Sequence, residues 1–322
     1  MKPKVLVTRR LPAAVEQRVS ESYDATLATH DEGLSAAEIA EAMRTYDALC
    51  PSILDKIGAD ALNLDGRRVK VMANYGAGIE HIDLAAAKAA GVVVSNTPDV
   101  LTEATAEIAV LLMLMLARRA GEGERQLRAG EWRGWRPTHM MGSELSAKRL
   151  GLIGFGRIGQ ATARLAKAGW NMPISYYSRR RAAPEVEAAY DAKYCESLEA
   201  LLAEADVVSL HTTGGAETRH MIDAARLSQM KPGAVLINTA RGPVVDEAAL
   251  VEALAAGRIA GAGLDVYEQE PKVHPGLLGM ENVVLLPHLG SAMVETRVAM
   301  GMRMLDNLDA FFAGTELRDR VA

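Results

Sequence analysis

Three short segments carry the side chains best suited to anion and proton chemistry: Asn238-Thr239-Ala240-Arg241-Gly242, Leu264-Asp265-Val266-Tyr267-Glu268-Gln269-Glu270-Pro271 and Leu286-Pro287-His288-Leu289-Gly290. Arg241 offers a guanidinium that stays charged and presents a planar fork of donors. His288 offers an imidazole that exchanges protons near neutral pH. Glu270 adds a carboxylate. Taken singly, each also has an ordinary reading, as a surface ion-pair residue, a satisfied loop histidine or one solvated acid among many. Their position separates them from that background. Each segment lies at or just after a strand-like run, and in a doubly wound sheet ligands bind at the carboxyl ends of the strands.

A second constellation concerns a nucleotide. Leu150-Gly151-Leu152-Ile153 runs directly into Gly154-Phe155-Gly156-Arg157-Ile158-Gly159, followed by a helical stretch over residues 160–168 and another strand-like run over 174–177. This is G-x-G-x-x-G in the strand-turn-helix setting of a dinucleotide-binding unit. Gly154 permits the tight turn, Gly156 lets the backbone approach a pyrophosphate and Gly159 allows close helix-sheet packing, while the N–H groups opening the helix face the phosphates. About 20 residues further on, an NAD site carries an acidic residue for the ribose 2'-hydroxyl. Here the sequence reads Tyr177-Ser178-Arg179-Arg180-Arg181. A small hydroxyl at Ser178 beside Arg179 and Arg180 suits a 2'-phosphate, so NADP(H) is expected in preference to NAD(H). A solvated basic loop is the plain alternative.

These groups need a scaffold, and the sequence describes one. At 322 residues the chain exceeds what one hydrophobic core usually organises, so two domains with a ligand cleft between them are expected. Strand-like runs at residues 4–8, 69–73, 92–95, 150–153, 174–177, 207–210, 235–238 and 283–286 alternate with helical segments. That alternation predicts an α/β fold with parallel sheets and crossover helices. Leu198, Leu201 and Leu202 follow helical spacing, as do Leu250, Val251 and Leu254 behind the N-cap candidate Asp246. A hinge is read at Asn96-Thr97-Pro98, before a long Ala/Leu/Met-rich helix beginning near Leu101. A final helix over residues 291–312 is compatible with a return to the first domain. The expected division is residues 1–98 plus 290–322, and residues 99–289.

Composition excludes several classes. Lys plus Arg total 36 against 41 Asp plus Glu, a formal charge of -5, which gives no basic field for a nucleic-acid backbone. Cys50 and Cys195 form no metal-ligand cluster and suggest a reducing compartment, with both thiols acting as small buried hydrophobes. Behind Met1-Lys2-Pro3-Lys4 the apolar run is too short for a signal-peptide core. The most apolar stretch, residues 108–117, is about half a bilayer span. A cytoplasmic protein with neither membrane nor metal is the expectation.

The order and spacing of the motifs over nearly the whole chain resemble the D-isomer-specific 2-hydroxyacid dehydrogenase family, in particular its glyoxylate/hydroxypyruvate reductase-like branch. The matching stretches are NYGAGIEHID at 74–83, TEATAE at 102–107, LIGFGRIG at 152–159, NTARGPVVDEAAL at 238–250, LDVYEQEP at 264–271 and PHLGSA at 287–292. The resemblance implies a flavodoxin-like substrate domain, a Rossmann domain and NADPH-dependent reduction of a small 2-oxo acid. In it Arg241 holds the substrate carboxylate and polarises the 2-oxo group. His288 protonates the oxygen, and Glu270 pairs with His288; a neighbouring carboxylate favours imidazolium, the form needed for reduction. The loop Tyr75-Gly76-Ala77-Gly78 becomes an anion nest for the carboxylate, or else an ordinary turn.

The same pattern places Thr105 near the nicotinamide and Asp265 at its carboxamide; a helix threonine and a turn former are the alternatives. By resemblance the cofactor site also takes in Phe155, Arg157, Ile158, His211, Thr212, Thr218, Thr239, Ala240, His288 and Gly290, and the substrate site Ser291. By resemblance, the pattern around Trp132 and Trp135 implies a homodimer through the nucleotide-binding domain, with Trp135 reaching the neighbouring active site; a core or surface anchor is the alternative. Thr213, where many relatives carry proline, and Gly214-Gly215 depart from the pattern in the adenine-side loop. Other 2-hydroxy acids of the phosphoglycerate or D-lactate type, and a nucleotide-sensing, corepressor-like interaction protein, are the competing readings.

Overall fold

All 322 residues are described in the computed structural model, and they form two units, Met1–Leu101 with Ser291–Ala322, and Thr102–Gly290. The crossings fall at 101/102 and 290/291 rather than at 98/99 and 289/290. The long helix Thr102–Ala117 lies wholly in the second unit, so residues 99–101 stay with the first.

The first unit is a five-stranded parallel sheet built from β1 (Lys4–Val7), β2 (Asp24–Leu27), β3 (Ala48–Cys50), β4 (Val71–Ala73) and β5 (Val93–Ser95), in the order β2-β1-β3-β4-β5. That is the flavodoxin-like order. The helix Val294–Ala313 closes one face, placing Met304, Leu305 and Leu308 against Val5, Val7, Val15 and Val19. Gly301 makes this possible, since a Cβ there would lie 2.4 Å from a Val15 methyl.

The second unit is a seven-stranded parallel sheet of β6 (Leu150–Ile153), β7 (Ile174–Tyr177), β8 (Ala192–Tyr194), β9 (Val207–Leu210), β10 (Val235–Asn238), β11 (Gly261–Leu264) and β12 (Val283–Leu285), in the order β12-β11-β10-β9-β6-β7-β8. Helices Thr102–Ala117 and Arg157–Trp170 cover one face through Ala109, Leu112, Met113, Ala163 and Ala166. Leu198, Leu201, Leu202, Leu250 and Leu254 fill the other. Burying each leucine contributes about 1.5–3 kcal/mol. Asp246 caps helix Glu247–Ala255 by accepting from Ala249 N at 3.0 Å, as its position before the helical spacing predicted.

Four strands, β2, β3, β8 and β11, are absent from the sequence reading. They are short and poor in β-branched residues, and pairing with neighbours rather than local propensity holds them. In β11 the glycines answer to packing: a Cβ on Gly263 would meet Leu112 Cβ at 2.9 Å, where the helix lies directly on the strand. Both cysteines are buried and free, as expected. No helix is long and apolar enough to cross a membrane.

Strand order reverses between β6 and β9, which makes their carboxyl ends the switch point of the larger sheet. The glycine turn leaves β6 there and the segment starting at His211 leaves β9. The Arg241, Glu270 and His288 segments follow β10, β11 and β12 along the same edge.

Candidate active site

The glycine turn is shaped by contacts as close as its sequence implies. Gly154 adopts φ +94°, and a Cβ on it would lie 2.5 Å from the His211 carbonyl oxygen. A Cβ on Gly159 would lie 2.4 Å from the Gly154 oxygen, whereas nothing stands within 4 Å of one on Gly156. Two glycines are therefore dictated by packing, and the third faces open space at the start of helix Arg157–Trp170. Such a helix N-terminus favours an anion.

Around this turn the structure refines several expected roles. Phe155 is buried and stacks on Tyr176 at 4.2 Å, and its N–H donates to Ser178 Oγ at 3.2 Å, so its side chain belongs to the core. The His211 imidazole lies beneath the turn, its Nε2 2.9 Å from Ser209 Oγ and its Nδ1 sealed from solvent. Burial pushes its pKa down to about 3, leaving a neutral scaffold ring. The Thr218 hydroxyl is within reach of the Thr213 and Gly215 carbonyls at 2.9 and 3.2 Å, closing its own loop despite the two glycines. Thr239 Oγ1 is buried without a protein partner, a group suited to an incoming ligand.

Of the arginine run, Arg181 is committed elsewhere. It makes two 2.9 Å bonds to Glu187 and lies over Tyr194 at 5.2 Å. Arg179 pairs with Glu217. Arg180 is exposed next to them.

At the other end of the edge, Glu270 Oε2 lies 2.8 Å from His288 Nδ1 while Oε1 accepts from Tyr267 N at 3.0 Å. Burial pushes the Glu270 carboxyl up. The hydrogen bond and charge of His288, the Tyr267 N–H and the charge of Arg241 outweigh it and hold the group below the ordinary carboxylate range. His288 sits at φ +55° and donates its N–H to Asp265 O at 2.9 Å. Asp265 then takes Leu289 N at 2.6 Å and Gly290 N at 2.8 Å, so both its oxygens bind the turn that presents His288. Thr105 donates to Gly290 O at 3.1 Å. Thr105, Asp265 and Gly290 thus meet in one buried cluster.

Arg241 begins a tight turn ordered by Asn238, whose amide accepts from Ala240 N and donates to Arg241 O, both at 3.0 Å. Gly242 follows because a Cβ there would fall 1.8 Å from the Tyr267 carbonyl carbon. The β10 and β11 loops are thereby interlocked, and the Arg241 charge bears on Glu270. Asn238 and Tyr267 are organising residues that the sequence reading passed over, although both lie inside the quoted motifs.

In the first unit, Gly76 has φ +154°. Asn74 Nδ2 donates to Gly76 O and Gly78 O at 2.9 and 2.8 Å, and Asn96 Nδ2 to Ala77 O at 2.8 Å. His81 Nε2, 3.0 Å from Asn74 Oδ1, orients that amide. These three bonds hold the carbonyls of Gly76, Ala77 and Gly78 in place. Neither asparagine was read from sequence as a site residue, Asn96 being named only as part of the hinge. Ser291 follows the second crossing and belongs to this unit. Trp135 lies in the second and is 82% exposed.

A glycine turn at the switch point of a parallel sheet, with an arginine and a carboxylate–histidine pair along the same edge, is the arrangement of a dinucleotide-binding α/β protein. Residues 110–290 match the family model described as D-isomer specific 2-hydroxyacid dehydrogenase, NAD binding domain. The chain belongs to that family, and it is an NAD(P)-dependent 2-hydroxyacid dehydrogenase. It is 44% identical to a glyoxylate reductase of Thermococcus litoralis, over 98% of this chain and 95% of that one. It is 40% identical to a glycerate dehydrogenase of Hyphomicrobium methylovorum, over 98% of both. Among solved structures, an NADPH-dependent glyoxylate/hydroxypyruvate reductase of Sinorhizobium meliloti, in complex with NADP and malonate, superposes with a TM-score of 0.89 at 37% identity, covering 100% of this chain and 97% of that one.

Proposed function

We propose that this protein reduces glyoxylate and hydroxypyruvate to the corresponding 2-hydroxy acids with NADPH. The observation carrying this reading is the His288–Glu270 pair at 2.8 Å with the Arg241 charge bearing on it. Arg241 takes the substrate carboxylate in its donor fork and polarises the 2-oxo oxygen. His288, held through Nδ1 by Glu270, turns Nε2 to that oxygen and gives it a proton. Within the first unit, the amides of Ala77 and Gly78 are a candidate anion-binding element. The relatives' names support the substrate class, since reduction of hydroxypyruvate yields glycerate.

The residues fit a dinucleotide: open space before Gly156, a helix N-terminus and the buried, partnerless Thr239 hydroxyl. Gly154 to Gly159 would cradle its pyrophosphate, and Thr105, Ala240, Asp265 and Gly290 would flank the nicotinamide. When bound, the cofactor supplies the hydride. Initial rates for a panel of 2-oxo acids with both reduced cofactors test the proposal; no turnover of glyoxylate or hydroxypyruvate would reject it.

For the 2'-phosphate, Ser178, Arg179 and Arg180 are the recognition groups. Arg180→Ala is expected to raise KM for NADPH about 10-fold, the loss of one charge-assisted bond of roughly 1.5 kcal/mol, and to leave KM for NADH unchanged. Equal effects on both cofactors would remove Arg180 from 2'-phosphate recognition.

The homodimer belongs to the same reading. Helix Ala120–Arg128 has no buried residue, and Leu127, Trp132, Trp135 and Met141 are 61, 53, 82 and 66% exposed. Exposed apolar side chains gathered in one segment support an interface there. Sedimentation equilibrium is expected to give twice the 34.5 kDa chain mass, and Leu127→Asp combined with Trp132→Ser to give the monomer. A monomeric wild type would refute this assembly.

A further inference from the structure

We propose that His220 is a positioning residue for the proton donor: through Glu268 it holds the loop that carries Glu270 against His288. The inference deepens the reductase reading and rests on it. His220 lies on the segment leaving β9, a position that the mechanism above does not use. Its backbone is left-handed, φ +49°, a region where non-glycine residues are uncommon and histidine, asparagine and aspartate are enriched. That conformation costs on the order of 1 kcal/mol and persists where surrounding contacts enforce it.

Those contacts are specific. His220 N donates to Pro243 O at 2.8 Å, Ile222 N to Val244 O at 3.0 Å and Asp246 N to Ile222 O at 3.0 Å, stitching the segment to the turn after Arg241. The His220 ring crosses to the third loop, where Nε2 lies 2.7 Å from Glu268 Oε1. Arg219 Nη2 donates to the same oxygen at 2.9 Å. Glu268 N donates to Glu247 Oε1 at 2.6 Å, and the Tyr267–Glu268 peptide rests on Gly242. Glu268 is therefore gripped by side chain and backbone, two residues before Glu270, whose Oε1 turns back to Tyr267 N at 3.0 Å.

The consequence is mechanical. The loops leaving β9, β10 and β11 each contribute one face of the clamp, so the Glu270 position depends on a residue of the adenine-side segment. The charged groups facing the His220 ring are Glu268 and Asp246, the latter 3.8 Å from Nδ1, with Arg219 sharing Glu268. Those bearing on the His288–Glu270 pair are Asp265 and Arg241. Without the His220 bond the Glu268 side chain keeps only Arg219, an exposed and flexible partner, and the Tyr267 to Glu270 turn gains freedom. A carboxylate that retreats from an imidazolium lets it lose its proton at lower pH.

The test uses the full-length chain saturated with NADPH, as wild type, His220→Ala and His220→Gln. Two readouts are taken: the pH profile of kcat with glyoxylate, and the His288 titration followed by 15N NMR of the imidazole. His220→Ala is expected to lower kcat about 10-fold, leave the NADPH Kd unchanged and move both the alkaline limb and the His288 midpoint to lower pH by about half a unit or more. His220→Gln, which retains an N–H donor towards Glu268, is expected to restore most of each. A His220→Ala protein with the wild-type His288 midpoint overturns the proposal, whatever happens to its Tm. If the wild type reduces no 2-oxo acid, the reductase reading fails, while the NMR midpoint still decides whether His220 positions the pair.

Discussion

His288→Gln is expected to lower kcat for glyoxylate reduction by about 10²- to 10⁴-fold, the usual contribution of a positioned proton donor. Glutamine keeps comparable bulk and an amide that can still meet Glu270, but it has no proton to give. The NADPH Kd should change little, because the glycine turn and the Arg179–Arg180 loop do not depend on the ring. Stopped-flow reduction with fluorescence titration of the cofactor separates the two quantities. A kcat within a few-fold of wild type would remove His288 from the chemistry.

The pH dependence of the same reaction follows from Glu270. Its carboxyl is held below the ordinary range against the pull of burial, so the carboxylate's contribution to the folded site is fully present above that range and is lost as pH falls through the depressed value. In the proposed reaction the proton comes from an imidazolium, so kcat should rise as pH drops from the alkaline side and stay level until Glu270 is protonated. Glu270→Gln removes the carboxylate and should bring the alkaline decline to lower pH.

Arg241→Lys is the second large effect. Lysine keeps the positive charge but replaces a rigid planar fork by a single ammonium on a flexible stem. The Asn238 amide and the Gly242 packing against Tyr267 fix where this backbone runs, so a lysine inherits the position without the geometry. Truncating one partner of a hydrogen-bonded charge pair costs about 2–4 kcal/mol, or roughly 30- to 900-fold in kcat/KM. Most of it should appear in KM for the 2-oxo acid, with KM for NADPH near wild type. An Arg241→Lys enzyme as efficient as wild type would show that a point charge suffices and that the fork has no part in recognition.

Much of this arrangement was legible in the residues themselves. The glycine spacing after β6, the arginine run after β7 and the three segments behind β10, β11 and β12 are local patterns, and local patterns report backbone demands that neighbouring residues impose. The same holds for the Asp246 cap and the leucine spacing behind it. Four strands were not legible, because Asp24–Leu27, Ala48–Cys50, Ala192–Tyr194 and Gly261–Leu264 are extended by pairing with strands distant in the chain. Pairing leaves no local trace.

The roles of individual groups divide in the same way. Sequence by itself determined which groups are present: a glycine turn, a guanidinium, an imidazole and a carboxylate, each at a strand end. Tertiary structure decided how they are used. It turned Phe155 and His211 inward as scaffold, committed Arg181 to Glu187, set Asp265 to shaping the His288 turn and joined His220 to Glu268 between two loops. Partners such as these are tens of residues apart or separated by a fold in the backbone. Only the close packing of a folded chain, where each buried polar atom must find a specific neighbour, selects among the pairings that the residue types allow.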